Sequence, residues 1–194
     1  MTLISEDRIN ELIRLLRESP NGLCAELGVY KGGSLKFLAE TCPEREFWGF
    51  DTFEGLPKVD WNESEPHNPG DFNDTSLEAV QAFLKNNSNV KLIKGYFPES
   101  MPVFPKNAPK FSFVHVDTDF YQSVKTCINY FYPLLKPGGV MVFDDYDWPA
   151  CPGVKRALDE SGLPYKPTLA KYQAYIQKPQ SFLKRIFAGL NNKQ

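Results

Sequence analysis

The chain has 194 residues, which suits a single domain with a buried hydrophobic core. Hydrophobic residues make up 42% of it and the net charge is -2, so the composition is that of a globular protein and gives no basic footprint for a nucleic-acid partner. Its four cysteines show neither CxxC pairs nor zinc-type spacing with histidine. Because no stretch looks like a signal peptide or a membrane span, we expect a cytoplasmic protein.

The first predicted elements are a helix and a strand that runs into a glycine-rich turn. Apolar residues recur at helical spacing over residues 5–18, with Ser5 as the N-cap. A strand is predicted from residue 23 to 29, and the turn from Glu26 to Ser34 then opens a second helix, whose free N–H groups can bind a ligand. The spacing differs from the GxGxxG dinucleotide fingerprint, so this turn taken alone is equally well explained as structural.

The second strand, over residues 47–53, carries an acidic residue near its tip. Asp51 follows the glycine turn by roughly 20 residues, where an acid accepts hydrogen bonds from the hydroxyls of a ribose. The pattern therefore predicts a cofactor that contains a nucleoside. The polar, proline-rich connection over residues 54–70 is interpreted as a mobile lid over the site, with a disordered insertion as the alternative.

The rest of the chain continues the alternation of strands and helices. We predict helices over residues 76–85 and 121–135, a short helix ending near residue 158, and strands over residues 90–97, 111–117, 140–143, 165–169 and 173–177. This order predicts an α/β fold with a doubly wound, Rossmann-like, mostly parallel seven-stranded sheet and an antiparallel hairpin at one edge. We expect one domain made of an N-terminal helix (5–18), a core (22–178) and a C-terminal amphipathic helix (180–190), whose amphipathic ends suggest a homodimer.

Two of the predicted strands end in pairs of carboxylates. Asp117 and Asp119 follow one apolar run, and they face the same way because side chains alternate along a strand. Asp144 and Asp145 follow the next run, so neighbouring parallel strands would bring the four acids together. Such a cluster resists full ionisation unless a divalent cation binds, and all-oxygen ligands favour Mg²⁺ or Mn²⁺. The alternative is that these acids only cap strands and solvate loops.

Ligands of a doubly wound sheet bind beyond the carboxyl ends of the strands, where the strand order reverses. A reversal between the first and the fourth strand would place the glycine turn beside Asp117 and Asp119. Cofactor and metal would then face each other, and this geometry serves bond formation between two bound groups.

The segments AELGVYKGGS, GFDTFEGLP, KGYFPESMP, HVDTDFYQS and FDDYDWPAC, in this order, resemble the macrocin O-methyltransferase family (the TylF, MycF and NovP type). The resemblance covers residues 20–178 and implies a Mg²⁺-dependent enzyme that moves a methyl group from S-adenosylmethionine to a hydroxyl of a small molecule, typically a sugar. It departs from the family in a shorter N-terminal portion, which helps to shape the acceptor pocket in those enzymes. The acceptor is therefore left open.

Carried over by position, the resemblance implies a role for each site residue. Asp117, Asp144 and Asp145 would hold Mg²⁺, and Asp119 would be the general base. Glu26, Gly28 and Ser34 would line the methionine part of the cofactor, and Asp51 would hold its ribose. The same motifs imply further cofactor contacts at Tyr30, Gly33, Thr52, Phe53, Gly95, Phe97 and Asp117.

Two other functions are consistent with acid-tipped strands. A haloacid-dehalogenase-like phosphatase would use Asp117 as its nucleophile. That fold normally begins with the DxD strand, however, and the single helix that fits between Asp119 and Asp144 leaves no room for its other motifs. A non-catalytic module that binds a nucleotide or a metal is the third possibility, and it would not need Asp119 as a base.

Overall fold

The structure is a computed structural model that describes residues 2–62, 65–102 and 110–180. Apart from residue 180, the C-terminal helix expected over residues 180–190 lies outside the described residues. Within these limits the longest helix has 14 residues, and none of the described helices is long and apolar enough to cross a membrane. The helices are α1 (Glu6–Glu18), α2 (Gly33–Thr41), α3 (Leu77–Phe83), α4 (Tyr121–Leu134) and α5 (Pro152–Glu160). The strands are β1 (Leu23–Leu27), β2 (Phe47–Asp51), β3 (Val90–Lys94), β4 (Phe111–Val116), β5 (Leu135–Asp144), β6 (Tyr165–Pro167) and β7 (Gln173–Gln177).

These seven strands form one sheet in the order β3-β2-β1-β4-β5-β7-β6. β1 to β5 are mutually parallel, and β7 runs antiparallel to both β5 and β6. The predicted fold class is therefore confirmed, including the hairpin at one edge. Because the order reverses between β1 and β4, the carboxyl ends of the central strands meet at one edge of the sheet.

The central strands are buried on both faces, as expected for a parallel sheet covered by helices. α4 and α5 pack with one face and α1, α2 and α3 with the other, so that β1 and β4 are buried along their whole length. Burial on both faces explains why these strands appear in the sequence as continuous apolar runs. It also encloses a polar pair, Glu26 and His115, which lie in register across β1 and β4.

The start of β5 differs from the prediction. Residues 136–139 were expected to stop α4 and precede the strand, but β5 begins at Leu135 and runs through both glycines. The reason is pairing with a later part of the chain: the Gly138 amide donates to the Lys178 carbonyl, and the Lys178 amide donates to the Gly139 carbonyl, both at 2.9 Å. Tertiary hydrogen bonds thus extend the strand through residues that usually break one.

Candidate functional site

A cavity of about 350 Å³ lies where β1, β2, β4 and β5 end. Its walls come from the turn after β1, the loops after β2 and β3, the acidic segments after β4 and β5, and the start of α1. Most residues expected to bind the cofactor line it: Gly28, Tyr30, Gly33, Ser34, Asp51, Thr52, Gly95, Phe97 and Asp117. Glu26 and Phe53 do not, because both are buried behind the turn.

Gly28 sits directly against the acidic segment that follows β4. Its φ is +86°, and a Cβ at this position would lie 1.8 Å from the carbonyl oxygen of Asp117. The amide of Asp117 in turn donates to the Leu27 carbonyl at 2.9 Å. Only glycine allows this approach, so the turn after β1 and the acids after β4 are built against each other.

Asp51 stabilises the glycine turn through its carboxylate. Its Oδ2 accepts hydrogen bonds from the backbone N–H groups of Val29 (2.8 Å) and Tyr30 (2.7 Å), and its Oδ1 accepts one from Phe53 at 2.6 Å. Tyr30 and Phe53 both have left-handed backbones, with φ of 49° and 53°. Since a carboxylate has about four acceptor sites, capacity remains for a ligand. The ribose contact stays a prediction, and the structure adds a positioning role.

Glu26 lies beneath the turn and points into the sheet layer covered by α1. The Ser34 hydroxyl donates to its Oε1 at 2.6 Å, and its Oε2 is 3.7 Å from Nδ1 of His115, too far for a hydrogen bond. His115 is fully buried. Burial opposes a positive charge on its ring, but the Glu26 carboxylate and the charge of Asp144 together outweigh burial and raise the pKa of His115. His115 and Glu26 thus form a buried polar layer inside the sheet.

The four acids at the ends of β4 and β5 lie together. Carboxylate oxygens of Asp117, Asp119 and Asp145 are within 4.8 Å of one another, and Asp117 and Asp144 form a second such group with His115. Asp117 is thus common to both groups. Asp119 and Asp145 each have a φ of 56°, the left-handed region in which non-glycine residues are uncommon and which concentrates at functional sites. We call these four residues the acid cluster.

The acid cluster cannot carry its full charge easily. Burial, and then the charges of neighbouring acids, raise the pKa of Asp117 well above its usual range. Burial together with the Asp145 charge raises the pKa of Asp119 to about 6. Burial also raises the pKa of Asp144 to about 6, although His115 and Arg8 partly offset it. A cluster of carboxylate oxygens in this state fits a hard divalent cation such as Mg²⁺ or Mn²⁺.

Arg8 is a site residue that sequence reasoning missed. From the first turns of α1 its Nη1 donates to Oδ1 of Asp144 at 3.0 Å and to Oδ1 of Asp145 at 2.9 Å. In the sequence Arg8 is one of several charged residues in an amphipathic helix, and its partners lie more than 130 residues away, with separations of 136 and 137 positions. No local signal distinguishes it from Arg14 or Arg17.

Two further residues beside Asp119 were also not predicted. The Cys151 thiol donates to Oδ1 of Asp119 at 3.4 Å, and His67 lies close enough to form a group with both. His67 belongs to the segment 54–70, whose described residues also contribute Leu56, Pro57 and Asp60 to the cavity wall. Asp60 is buried and accepts a hydrogen bond from the Tyr96 hydroxyl at 2.7 Å. The segment therefore forms part of the cavity wall, and its role as a mobile lid stays a prediction.

Comparisons with known proteins agree with one another. A family model described as Macrocin-O-methyltransferase (TylF) matches residues 1–161. The chain is 30% identical over 171 residues to mycinamicin III 3''-O-methyltransferase of Micromonospora griseorubida, a match that covers 77% of this chain and 66% of the relative. It is 28% identical over 152 residues to 8-demethyl-8-(2,3-dimethoxy-alpha-L-rhamnosyl)-tetracenomycin-C 4'-O-methyltransferase of Streptomyces olivaceus, covering 71% of this chain and 58% of the relative. The chain thus spans less than two thirds of the length of either relative.

Among solved structures, the O-methyltransferase NovP superimposes with a TM-score of 0.74 at 22% identity. The match covers 92% of this chain and 82% of that one. At this level of identity the likeness shows the fold.

Proposed function

Because the chain belongs to the macrocin O-methyltransferase family, we propose that it transfers a methyl group from S-adenosylmethionine to a hydroxyl group of a sugar or a glycosylated small molecule. One observation carries the proposal: a single cavity joins the glycine turn after β1 to the acid cluster after β4 and β5. A cofactor bound at the first and an acceptor bound at the second would lie side by side. The names of the two relatives denote O-methyltransferases of mycinamicin III and of a rhamnosylated tetracenomycin, which supports a glycosylated acceptor.

The cofactor part of the proposal assigns the turn and its neighbours to S-adenosylmethionine. This cofactor supplies a methyl group on a positively charged sulfur. Gly28 lets the backbone approach it closely, Ser34 lies in the first turn of α2, and Asp51 offers its remaining acceptor capacity to the ribose. Gly95 and Phe97, after β3, form another part of the wall.

The metal part of the proposal assigns Asp117, Asp144 and Asp145 to Mg²⁺, with Mn²⁺ as a substitute. Bound there, such an ion supplies a Lewis acid that stabilises a hydroxyl oxygen as it loses its proton. The support is the raised pKa values in the cluster and the buried Oδ2 of Asp144, which has no hydrogen-bond partner among the described residues.

Asp119 is proposed as the general base that takes the hydroxyl proton. A carboxylate whose pKa is about 6 is ionised at neutral pH and accepts a proton more readily than an ordinary aspartate. Cys151 donates to Oδ1 of Asp119, which leaves Oδ2 for the acceptor. The structure also groups Asp119 with Asp117 and Asp145, so a ligand role for it is the alternative that mutagenesis has to exclude.

Calorimetric titration with S-adenosylmethionine, with and without Mg²⁺, tests the proposal. We expect binding with a Kd in roughly the micromolar range, and methylated product by mass spectrometry when glycosylated acceptors are added. Absence of binding at about 1 mM cofactor would contradict the proposal, because typical cofactor affinities lie well below that concentration. The phosphatase alternative is disfavoured by the family match and by the place of Asp117 after the fourth strand of the chain.

We also propose that the protein acts in the cytoplasm, without nucleic acid as a partner, and that it forms a homodimer. Light scattering coupled to size-exclusion chromatography measures the last of these directly. A monomer across the micromolar range would contradict it.

A further inference from the structure

Among the described residues, Arg8 is the cation that contacts the acid cluster. Its side chain is 16% exposed, and the side chains of Asp144 and Asp145 are 1% and 21% exposed. Arginine usually engages carboxylates through two nitrogens in a fork. Here a single nitrogen, Nη1, bridges one oxygen of each aspartate.

This contact leaves the surrounding polar layer incomplete. Within the part of the chain that the structure describes, Oδ2 of Asp144, Oε1 of Gln173 and both ring nitrogens of His115 are buried without a hydrogen-bond partner. Gln173 lies next to Asp144, because the two are paired in register across β5 and β7. Buried polar groups are rarely left unsatisfied, so two of these atoms, Oδ2 of Asp144 and Oε1 of Gln173, give the layer more acceptor capacity than Arg8 uses. A cation of higher charge would use it more fully.

We propose that Arg8 is the internal counter-cation of the metal-free acid cluster, and that a divalent cation displaces it from Asp144 and Asp145. The inference rests on the metal site of the proposed function. Both cations would bind the carboxylates of the same two residues, and a guanidinium held 3.0 Å and 2.9 Å from their Oδ1 atoms would repel a divalent ion bound by these carboxylates.

Displacement of Arg8 would also change the wall of the cavity. Arg8 is the third residue of α1, and the residues before this helix, Thr2, Leu3 and Ile4, line the cavity together with Arg8. Loading with metal would therefore release the start of α1 from the acid cluster. In this way metal binding would control the shape of the cavity beside the acceptor.

The test is Mn²⁺ binding, measured by electron paramagnetic resonance, in wild type and in Arg8→Met. Loss of a charged competitor should tighten Mn²⁺ binding roughly tenfold, while Arg8→Lys, which keeps the charge, should stay near wild type. Arg14→Met is the matched control, because Arg14 lies in the same helix and pairs with Glu11 and Glu18 instead. It should leave Mn²⁺ affinity unchanged. Arg8→Gln serves the same purpose if the methionine variant does not fold.

Hydrogen exchange gives a second measurement that needs no variant. In the wild-type protein, Mg²⁺ should speed exchange of the hydrogen-bonded amides at the start of α1, beginning with Ile9, whose N–H donates to the Ser5 carbonyl, because the anchor of this turn is released. Unchanged or weaker Mn²⁺ binding by Arg8→Met, slower exchange on addition of Mg²⁺, or no Mn²⁺ binding by either protein would overturn the inference. Titration with S-adenosylmethionine judges the methyltransferase proposal separately, so the two failures are distinguishable.

Discussion

Asp51 and Asp144 stand at the ends of two strands of the same sheet, yet their surroundings are opposite. Asp51 accepts three hydrogen bonds from backbone N–H groups of the glycine turn and of its own loop. Asp144 is held by one nitrogen of Arg8 and a 3.3 Å contact from Gln173, and its Oδ2 has no hydrogen-bond partner among the described residues. The fold thus gives both oxygens of Asp51 hydrogen-bond partners, whereas it leaves one oxygen of Asp144 without a partner among the described residues.

This difference indicates what a ligand must supply on each side of the cavity, the glycine turn on the turn side and the acid cluster on the other. The turn side is already held in shape by its own hydrogen bonds, so a cofactor binding there has little to order, which favours affinity. The acid cluster concentrates like charge in a buried place and is compensated only in part by Arg8. In the proposal above, a bound cation rather than folding completes it. Substitutions on the two sides should therefore have different signatures.

Asp119→Asn, a substitution in the acid cluster, should have the largest effect, and this effect should be on kcat. Removing the proposed base should lower kcat by about a thousandfold, whereas Mn²⁺ and cofactor affinities should change by less than about threefold. Asp147→Asn is the matched control, because Asp147 also has a positive φ (60°) but is exposed. Steady-state kinetics and titrations check both. A large loss of Mn²⁺ affinity in Asp119→Asn would instead move Asp119 into the metal site.

Gly28→Ala should disrupt the close contact between the glycine turn and the acid cluster. The new Cβ would meet the Asp117 carbonyl oxygen at 1.8 Å, so the backbone must shift, and we expect the free energy of unfolding to fall by about 3 kcal/mol. Gly162→Ala separates this clash from the cost of a positive φ. At Gly162 φ is +67° and nothing lies within 4 Å of the added atom, so the loss should be nearer 1 kcal/mol. Equal losses in urea unfolding would mean that the close approach does not matter.

Asp51→Asn should destabilise the glycine turn without changing the acid cluster. An amide offers one acceptor oxygen and brings a donor against backbone N–H groups, so we expect a loss of about 2 kcal/mol in stability and roughly tenfold weaker cofactor binding. Mn²⁺ affinity should not change. Asp74→Asn is the control, because Asp74 is exposed and contacts only the side chains of Tyr30 and Lys31 near this turn. If Asp51→Asn bound cofactor like wild type, its positioning role would be excluded.

The two sides also differ in how far the sequence predicts them. The fold and the places of Asp51, Asp117 and Asp144 follow from local patterns, because a buried parallel strand is a continuous apolar run and a polar residue marks its end. The contacts that distinguish the two acids are not local. Arg8 meets Asp144 only because α1 packs over β5, and His115 meets Glu26 only through the register of β1 with β4.

The same reason explains the errors in the boundaries of elements. Residues 136–139 carry the proline and glycines that normally end a strand, and pairing with Lys178 and with β4 keeps this stretch in β5. Conversely, β1 was predicted to reach residue 29 and ends at Leu27, because Gly28 turns against Asp117. Apolar character alone could not show that turn.

The smallest expected effect concerns the charge of the acid cluster itself. The pKa values of Asp119 and Asp144 are about 6 in the folded protein, above the ordinary value of 3.8, so the folded state binds more protons than the unfolded state between these values. Without metal, the free energy of unfolding should therefore fall as the pH rises from 4 through 6. Mg²⁺ should restore this loss at pH 7.5, where the carboxylates are ionised, and have little effect at pH 5.

Thermal unfolding at both pH values, with sodium chloride at matched ionic strength as the control, measures this change. Asp119→Asn removes one of the titrating groups, so the metal-free variant should lose less stability than wild type over the same pH range. The difference between wild type and variant in the slope of stability against pH isolates the acid cluster from other groups. His115 is one such group, because its raised pKa also makes the protein less stable as the pH rises. A metal-free protein that grows more stable between pH 5 and 7.5 would show that Arg8 and the buried polar layer already compensate the four acids, and that the cluster does not depend on a cation.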